Sequence, residues 1–189
     1  LVSSAKSLVD FYTKIVAPRI STKKPKILDL GCGNFSLFED FNLEKDSVTA
    51  IDYSEHAISS APRKTSVSYR HMDITARDLN FNHQFDLVFD SHCLHCLMSD
   101  EERSQALLNI RNALGESGLF CAEMMVQRPH KKIAMPFKNI KEAMDLESEL
   151  INSGFRIVYF MINRDLAFVH HAGDLELKCD LLRVIAYKK

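Results

Sequence analysis

The stretch Ile27-Leu28-Asp29-Leu30-Gly31-Cys32-Gly33-Asn34-Phe35 decides how the rest of the chain is read. Three apolar residues around one carboxylate, entered from the polar run Ser21-Thr22-Lys23-Lys24-Pro25, predict a short buried strand that ends in a tight loop. Glycines at alternate positions let the backbone take positive φ and leave no Cβ in the path of a ligand approaching the main-chain N–H groups. A helix starting near Ser36 would set those groups at its positive end. A dinucleotide fingerprint wants Gly or Ala where this chain has Ser36. Asp29, two residues before the first glycine, would repel a pyrophosphate and suits a cationic ligand.

Working outward, residues 47–52 predict a second strand closing on Asp52, 19 residues beyond Gly33. At that spacing a βαβ unit presents an acidic side chain to two ribose hydroxyls. Asp52 could instead cap a helix, but Ser54 is free to cap residues 55–61. Residues 67–73 predict a third strand ending at Asp73 and Ile74, where a plain turn aspartate is the competing reading. Residues 85–90 are apolar enough for the centre of a parallel sheet, with Asp90 at the carboxyl end, where ligands collect.

Ser91-His92-Cys93-Leu94-His95-Cys96-Leu97 is the most chemically loaded segment. Cys-x-x-Cys is a zinc spacing, but no second ligand pair follows, so no metal site is expected. A thioredoxin-like motif would open a helix near the first strand, which this segment does not.

Elsewhere, residues 3–17 carry Leu8, Phe11, Tyr12, Ile15 and Val16 at helical spacing before Pro18. Residues 36–41 are a short helix candidate. A helix from Asp100, capped by Ser99 or Asp100, buries Ala106, Leu107, Ile110 and Leu114, then turns through Gly115 and Gly118 into a strand over 119–126. A helix over 139–153 closes at Gly154, and strands over 155–161 and 181–187 end the chain. Residues 164–180, with His170 and His171, show no clear period, and residues 127–138 are basic.

Asp29-x-Gly31-x-Gly33, Asp52, Asp73 and Asp90, in that order, resemble the motifs of class I S-adenosylmethionine-dependent methyltransferases of the small-molecule type, over about residues 26–189. The resemblance implies an α/β, Rossmann-like three-layer sandwich whose seven-stranded, mostly parallel sheet has the order 3-2-1-4-5-7-6 with strand 7 antiparallel. It implies one domain over 1–189, with residues 1–20 an N-terminal helix covering the site and 26–189 the core. The implied cofactor is S-adenosyl-L-methionine, and the product S-adenosyl-L-homocysteine. Asp29, Gly31, Cys32, Gly33, Asp52, Tyr53, Asp73, Ile74, Asp90 and Ser91 are its implied binding residues, with Tyr53 stacking on adenine. Ser91 to Cys96 resembles the family's Ser-x-x-Leu-His-aromatic pattern, with Cys96 where the aromatic stands. By the same resemblance, Phe11 and Tyr12 are candidates for acceptor contact.

Methyl transfer from a sulfonium is an in-line displacement in which the protein mainly aligns the acceptor and excludes water. A base is needed only where the nucleophile arrives protonated, and His95 is the first candidate, His92 the second. Each could equally be a packing residue. With no inserted cap domain, the acceptor reads as a small molecule, and the basic loop over 127–138 would suit an anionic group on it. A non-catalytic module holding the same cofactor, and an NAD(P)-dependent oxidoreductase, are the alternatives. The second has no use for Asp29 or Asp73.

Composition sets the outer limits. A length of 189 residues suits one domain. A net charge of -1 gives no support for a nucleic-acid or membrane-surface partner. No apolar run approaches the roughly 18 residues of a membrane span, and no secretory segment opens the chain. It starts at Leu1, which reads as a piece of a longer protein. Five scattered cysteines suit a reducing compartment, and the cytoplasm is the expected location.

Overall fold

The computed structural model describes residues 5–62, 66–130, 138–169 and 176–189. Seven strands form one sheet: β1 (Ile27–Leu30), β2 (Val48–Asp52), β3 (Val67–His71), β4 (Phe85–Ser91), β5 (Leu114–Val126), β6 (Phe155–Val169) and β7 (Glu176–Lys188). Their order is β3-β2-β1-β4-β5-β7-β6, and β7 runs antiparallel to both β5 and β6. This is the architecture that the resemblance implied. The order reverses between β1 and β4, whose ends stand side by side with Leu30 opposite Asp90. Open α/β sheets bind their ligands at such a switch point.

Helices cover both faces. The helices α3 (Asp100–Ala113) and α4 (Ala143–Asn152) bury Leu107, Ile110, Leu146 and Leu150 against Leu28, Leu30, Val88 and Phe120. On the other face Leu8, Phe11, Tyr12 and Val16 pack with Ile27, Phe38, Leu87 and Phe89. The Tyr12 ring meets Phe38, Phe41 and Phe89 edge-on. Phe11 and Tyr12 are thus core residues, not acceptor contacts. Helix α2 (Glu55–Ser59) follows β2 and is capped by the Ser54 hydroxyl, as the sequence suggested.

Several boundaries moved. The N-terminal helix is α1 (Ala5–Phe11), continued by a π-helical turn over Tyr12–Val16 and a 3-10 turn over Ala17–Arg19 that admits Pro18. The helix expected over 36–41 shrinks to a 3-10 turn, Leu37–Asp40. Helix α4 starts at Ala143 because residues 141 and 142 run alongside Gln127, whose N–H donates to the Lys141 carbonyl. Strand β5 begins directly at the end of α3. Most of the segment read as aperiodic belongs to an extended β6–β7 hairpin, where register shifts at 157/159 and 163/166 break the two-residue alternation. His170 and His171 lie outside the described residues, as does most of the basic loop.

Candidate active site

Two cavities open at the carboxyl ends of β1, β2 and β4 and share Gly31 as a wall. The larger, about 580 Å³, is lined by Asp52, Tyr53, Asp73, Ile74, His92 and Cys93 among others. The smaller, about 280 Å³, takes Leu8 and Val9 from α1, Asp29, Cys32, Phe35 and Leu37 from β1 and its loop, and Ser91 from the end of β4. Eight of the ten expected cofactor-binding residues line these two cavities. Gly33 and Asp90 do not.

Asp29 is buried, and the Ser36 hydroxyl donates to its Oδ2 at 2.6 Å. Burial raises its carboxyl to about 7, against the pull of that hydrogen bond. Ser36 Oγ also accepts the Phe38 N–H, so a single hydroxyl ties the carboxylate to the turn after the glycine loop. Both loop glycines have positive φ, +63° at Gly31 and +60° at Gly33. Only Gly33 has open space where a Cβ would be. At Gly31 that place is taken by Cys93. Burial pushes the Cys32 thiol well up.

Asp52 accepts the Gly33 N–H and the Ser54 N–H, each at 2.8 Å and on separate oxygens. It therefore shapes the glycine loop as well as facing the larger cavity. Tyr53, 76% exposed, stands on the rim. Asp73 makes a local turn in which Oδ1 accepts from both the N–H and the hydroxyl of Thr75. Asn109, on α3, donates to the carbonyls of Ile74 and Ala76 and pins this wall. The sequence offered no sign of that 35-residue link.

At the end of β4, Asp90 is fully buried and accepts the Cys93 N–H at 2.6 Å and the Leu94 N–H at 3.3 Å. These bonds tie it to the start of the 3-10 turn Leu94–Cys96, and burial raises its carboxyl to about 6. Arg103, 1% exposed, donates to the Leu94 carbonyl and forks onto Glu149 of α4. His95 is on neither cavity wall. It is 2% exposed, its Nδ1 accepts the Met125 N–H at 3.4 Å, and its Nε2 lies 3.1 Å from Lys138 Nζ. Burial, and then the charge of Lys138, hold its pKa down to about 2, which removes it as a base near neutrality. His92 does line the larger cavity. Its backbone has φ +73°, rare for a residue with a Cβ.

A buried charge cluster that sequence reasoning missed lies behind His92. Glu123 of β5 has its side chain fully buried, with Oε1 3.0 Å from His92 Nε2 and Oε2 accepting from Arg183 Nε at 2.6 Å. Arg183 also donates to the carbonyl and hydroxyl of Ser7, and its guanidinium stacks over Phe11, which ties β7 to α1. Among the described residues no group of three or more His, Cys, Asp or Glu is placed to hold a metal ion. No helix among them is long and apolar enough to cross a membrane.

Residues 27–118 match the family model described as a methyltransferase domain. No curated protein matches the sequence. Among solved structures, an S-adenosylmethionine-dependent methyltransferase from Methanosarcina mazei superposes with a TM-score of 0.73 at 17% identity, over 92% of this chain and 97% of that one. One from Mesorhizobium loti gives 0.67 at 18%, over 97% and 98%. The glycopeptide N-methyltransferase MtfA gives 0.68 at 16%, over 98% and 90%. At these identities the structural likeness speaks for the fold alone. Residues 27–118 thus match a methyltransferase domain, and the whole sheet has the fold of solved S-adenosylmethionine-dependent methyltransferases.

Proposed function

We propose that the chain acts as one domain that moves a methyl group from S-adenosylmethionine to a small-molecule acceptor, with the cofactor spanning both cavities. The observation that carries this reading is the charge of their lining. Asp52, Asp73 and Glu102 face the larger cavity, Asp29 and Asp40 the smaller, and no lysine or arginine lines either among the described residues. A phosphate-free ligand bearing an ammonium and a sulfonium suits such a lining, whereas a pyrophosphate would meet only like charge. The larger volume falls in the range of about 300–1,000 Å³ usual for cofactor sites.

Each Asp52 oxygen accepts one backbone N–H, and a carboxylate has about four lone-pair positions, so two stay available for ribose hydroxyls. Asp73 and the Ile74 N–H would take the adenine edge, and Tyr53 would stack on its face. Asp29, Gly31, Cys32, Gly33 and Ser91 would surround the methionine end. Asp90 serves at one remove, by holding the Cys93 and Leu94 N–H groups of the lip. The cofactor supplies a methyl already bonded to a positively charged leaving group, so the chain's own residues align the acceptor and exclude water. Leu8, Val9, Phe35 and Leu37 favour an acceptor with an apolar body. Asp29 and Asp40 on the same wall favour a neutral or cationic acceptor over an anionic one. Free Cys32, Cys93, Cys96 and Cys121 support a reducing, cytoplasmic setting.

Isothermal titration with S-adenosylhomocysteine and, in parallel, NADH tests the reading on wild type and Asp52→Ala. Binding of the first alone, lost in the variant, is the expected result. Binding of NADH, or of neither, would overturn it.

A further inference from the structure

Strand β3 ends at His71, and the four residues that follow, Met72 to Thr75, all line the larger cavity. The Met72 N–H still reaches the Asp52 carbonyl at 3.0 Å, and beyond it the backbone finds its partners off the sheet. Some are local: the Asp73 carbonyl accepts the Ala76 N–H at 3.1 Å, and Asp73 Oδ1 accepts the N–H and the hydroxyl of Thr75 at 2.8 and 2.7 Å. Another comes from across the chain. Asn109, buried on the inner side of α3, donates from Nδ2 to the Ile74 carbonyl at 2.7 Å and to the Ala76 carbonyl at 2.8 Å. Its Oδ1 accepts from Gln105 Nε2 at 3.1 Å, one turn earlier on the same helix. Two carbonyls can be met only by the NH₂ end, so the amide has one orientation and both of its hydrogens are used.

These bonds fix what the wall presents. A trans peptide points its N–H opposite to its C=O, so the Ile74 N–H is directed away from the bond that the Asp73 carbonyl makes with Ala76. Both Thr75 bonds fall on Asp73 Oδ1, which leaves Oδ2 for a ligand. The pair is then an acceptor beside a donor. Adenine offers the complement, an amino donor at N6 beside the N1 acceptor. Hypoxanthine, with a carbonyl at C6 and a proton on N1, offers the reverse and would set oxygen against carboxylate and N–H against N–H. The spacing of the pair depends on the position of Ile74, whose carbonyl is tied to a helix with Leu107 and Ile110 fixed in the core.

We propose that Asn109 is a positioning residue that sets the base specificity of the cofactor site, holding the Asp73–Ile74 pair in the register that accepts adenine and rejects hypoxanthine. The inference rests on the methyl-transfer reading above, in which this wall takes the adenine edge. Asn109 is not on the cavity wall and acts from behind it, through the carbonyls of Ile74 and Ala76. With an apolar side chain at position 109 both carbonyls lose that donor, the turn after Asp73 relaxes, and the two recognition groups no longer keep one spacing.

Calorimetry with S-adenosylhomocysteine and with its deaminated counterpart, S-inosylhomocysteine, tests this on wild type, Asn109→Leu and Asn109→Ser. The serine hydroxyl can still meet one carbonyl, which keeps the test open if leucine prevents folding. Wild type is expected to prefer the adenosyl ligand by about 100-fold, since deamination turns two hydrogen bonds into two repulsive contacts. In either folded variant the preference should fall to about tenfold or less, mainly through loss of affinity for the adenosyl ligand. A purely supporting role would weaken both ligands alike, so an unchanged ratio in a folded variant overturns the proposal, and so does a wild type without preference. If S-adenosylhomocysteine does not bind wild type, the methyl-transfer reading itself falls, whereas binding with an unchanged ratio removes the role of Asn109 alone.

Discussion

A Cβ added to Gly31 would sit 2.7 Å from Cys93 Cβ, so the loop after β1 and the lip after β4 touch with no room for a methyl group. Gly33, two residues on, has nothing within 4 Å of the same position. The two glycines of one motif are thus required for different reasons.

Alanine substitution separates them. Gly33→Ala bears only the left-handed backbone penalty, about 1–2 kcal/mol. Gly31→Ala bears that penalty plus displacement of Cys93 and the wall of the larger cavity. Thermal unfolding should place Gly31→Ala clearly below Gly33→Ala, and calorimetry should show the greater loss of S-adenosylhomocysteine affinity in the former. Equal melting temperatures would contradict the packing argument.

Asp29 predicts an effect of pH on stability. Its pKa is raised by burial to about 7 in the folded protein, above the roughly 3.9 of an unfolded aspartate. A raised pKa contributes stability below the unfolded value that is lost as pH rises through the folded one. Relative to Asp29→Asn, wild type should lose about 1.4 kcal/mol per pH unit between roughly pH 4 and 7. Urea unfolding at three pH values checks this, with the asparagine variant the more stable at pH 8. Its cofactor affinity should fall, since the carboxylate facing the cation is gone.

His95 titrates with the opposite sign. Its pKa of about 2 lies below the unfolded value near 6.5, so its contribution is present above pH 6.5 and lost as pH falls. Wild type should therefore lose stability against His95→Gln by about 1.4 kcal/mol per pH unit below pH 6.5. A constant difference from pH 7 to 5 would mean that the ring is already charged when buried.

Arg103 predicts a large effect with a specific rescue. Arg103→Ala leaves the Leu94 carbonyl without that donor and Glu149 with Lys141 as its remaining cation, and should cost about 3 kcal/mol, the lower end of what loss of one partner of a buried pair costs. Replacing both Arg103 and Glu149 by methionine should recover much of the loss, because apolar substitutes for a buried pair are often neutral. A double-mutant cycle by chemical denaturation measures the coupling.

The first four strands were legible in the sequence because each announces itself locally, as a short apolar or alternating run with a carboxylate within it or just beyond it. Ser54 as a cap and Ser99 as the start of α3 were legible for the same reason, since capping is settled within four residues. What escaped were relationships across the chain. Glu123 and Arg183 are 60 residues apart, and Arg103 and Glu149 are 46 apart. Charged residues within apolar strands and on the apolar side of α3 were the available signal: Glu123 follows Leu119-Phe120-Cys121-Ala122, and Arg103 precedes Ala106 and Leu107 at helical spacing. His95 was misplaced because a motif resemblance locates a residue in sequence, while its burial depends on Met125 and Lys138. The long β6–β7 hairpin was missed where bulges interrupt its alternation.

The antiparallel β7 also bears on how the protein is made. It lies between β5 and β6, so the inner edge of β5, with Met124, Met125 and Val126, gains its partner only when residues 180–187 have been synthesised. Until then a nascent chain carries an apolar strand with an unpaired edge, a template for association with other chains. A late ribosomal pause, or truncation before residue 176, would prolong that exposure. Yield in the cell is therefore expected to depend on chaperone supply more steeply than the stability of the finished fold would suggest.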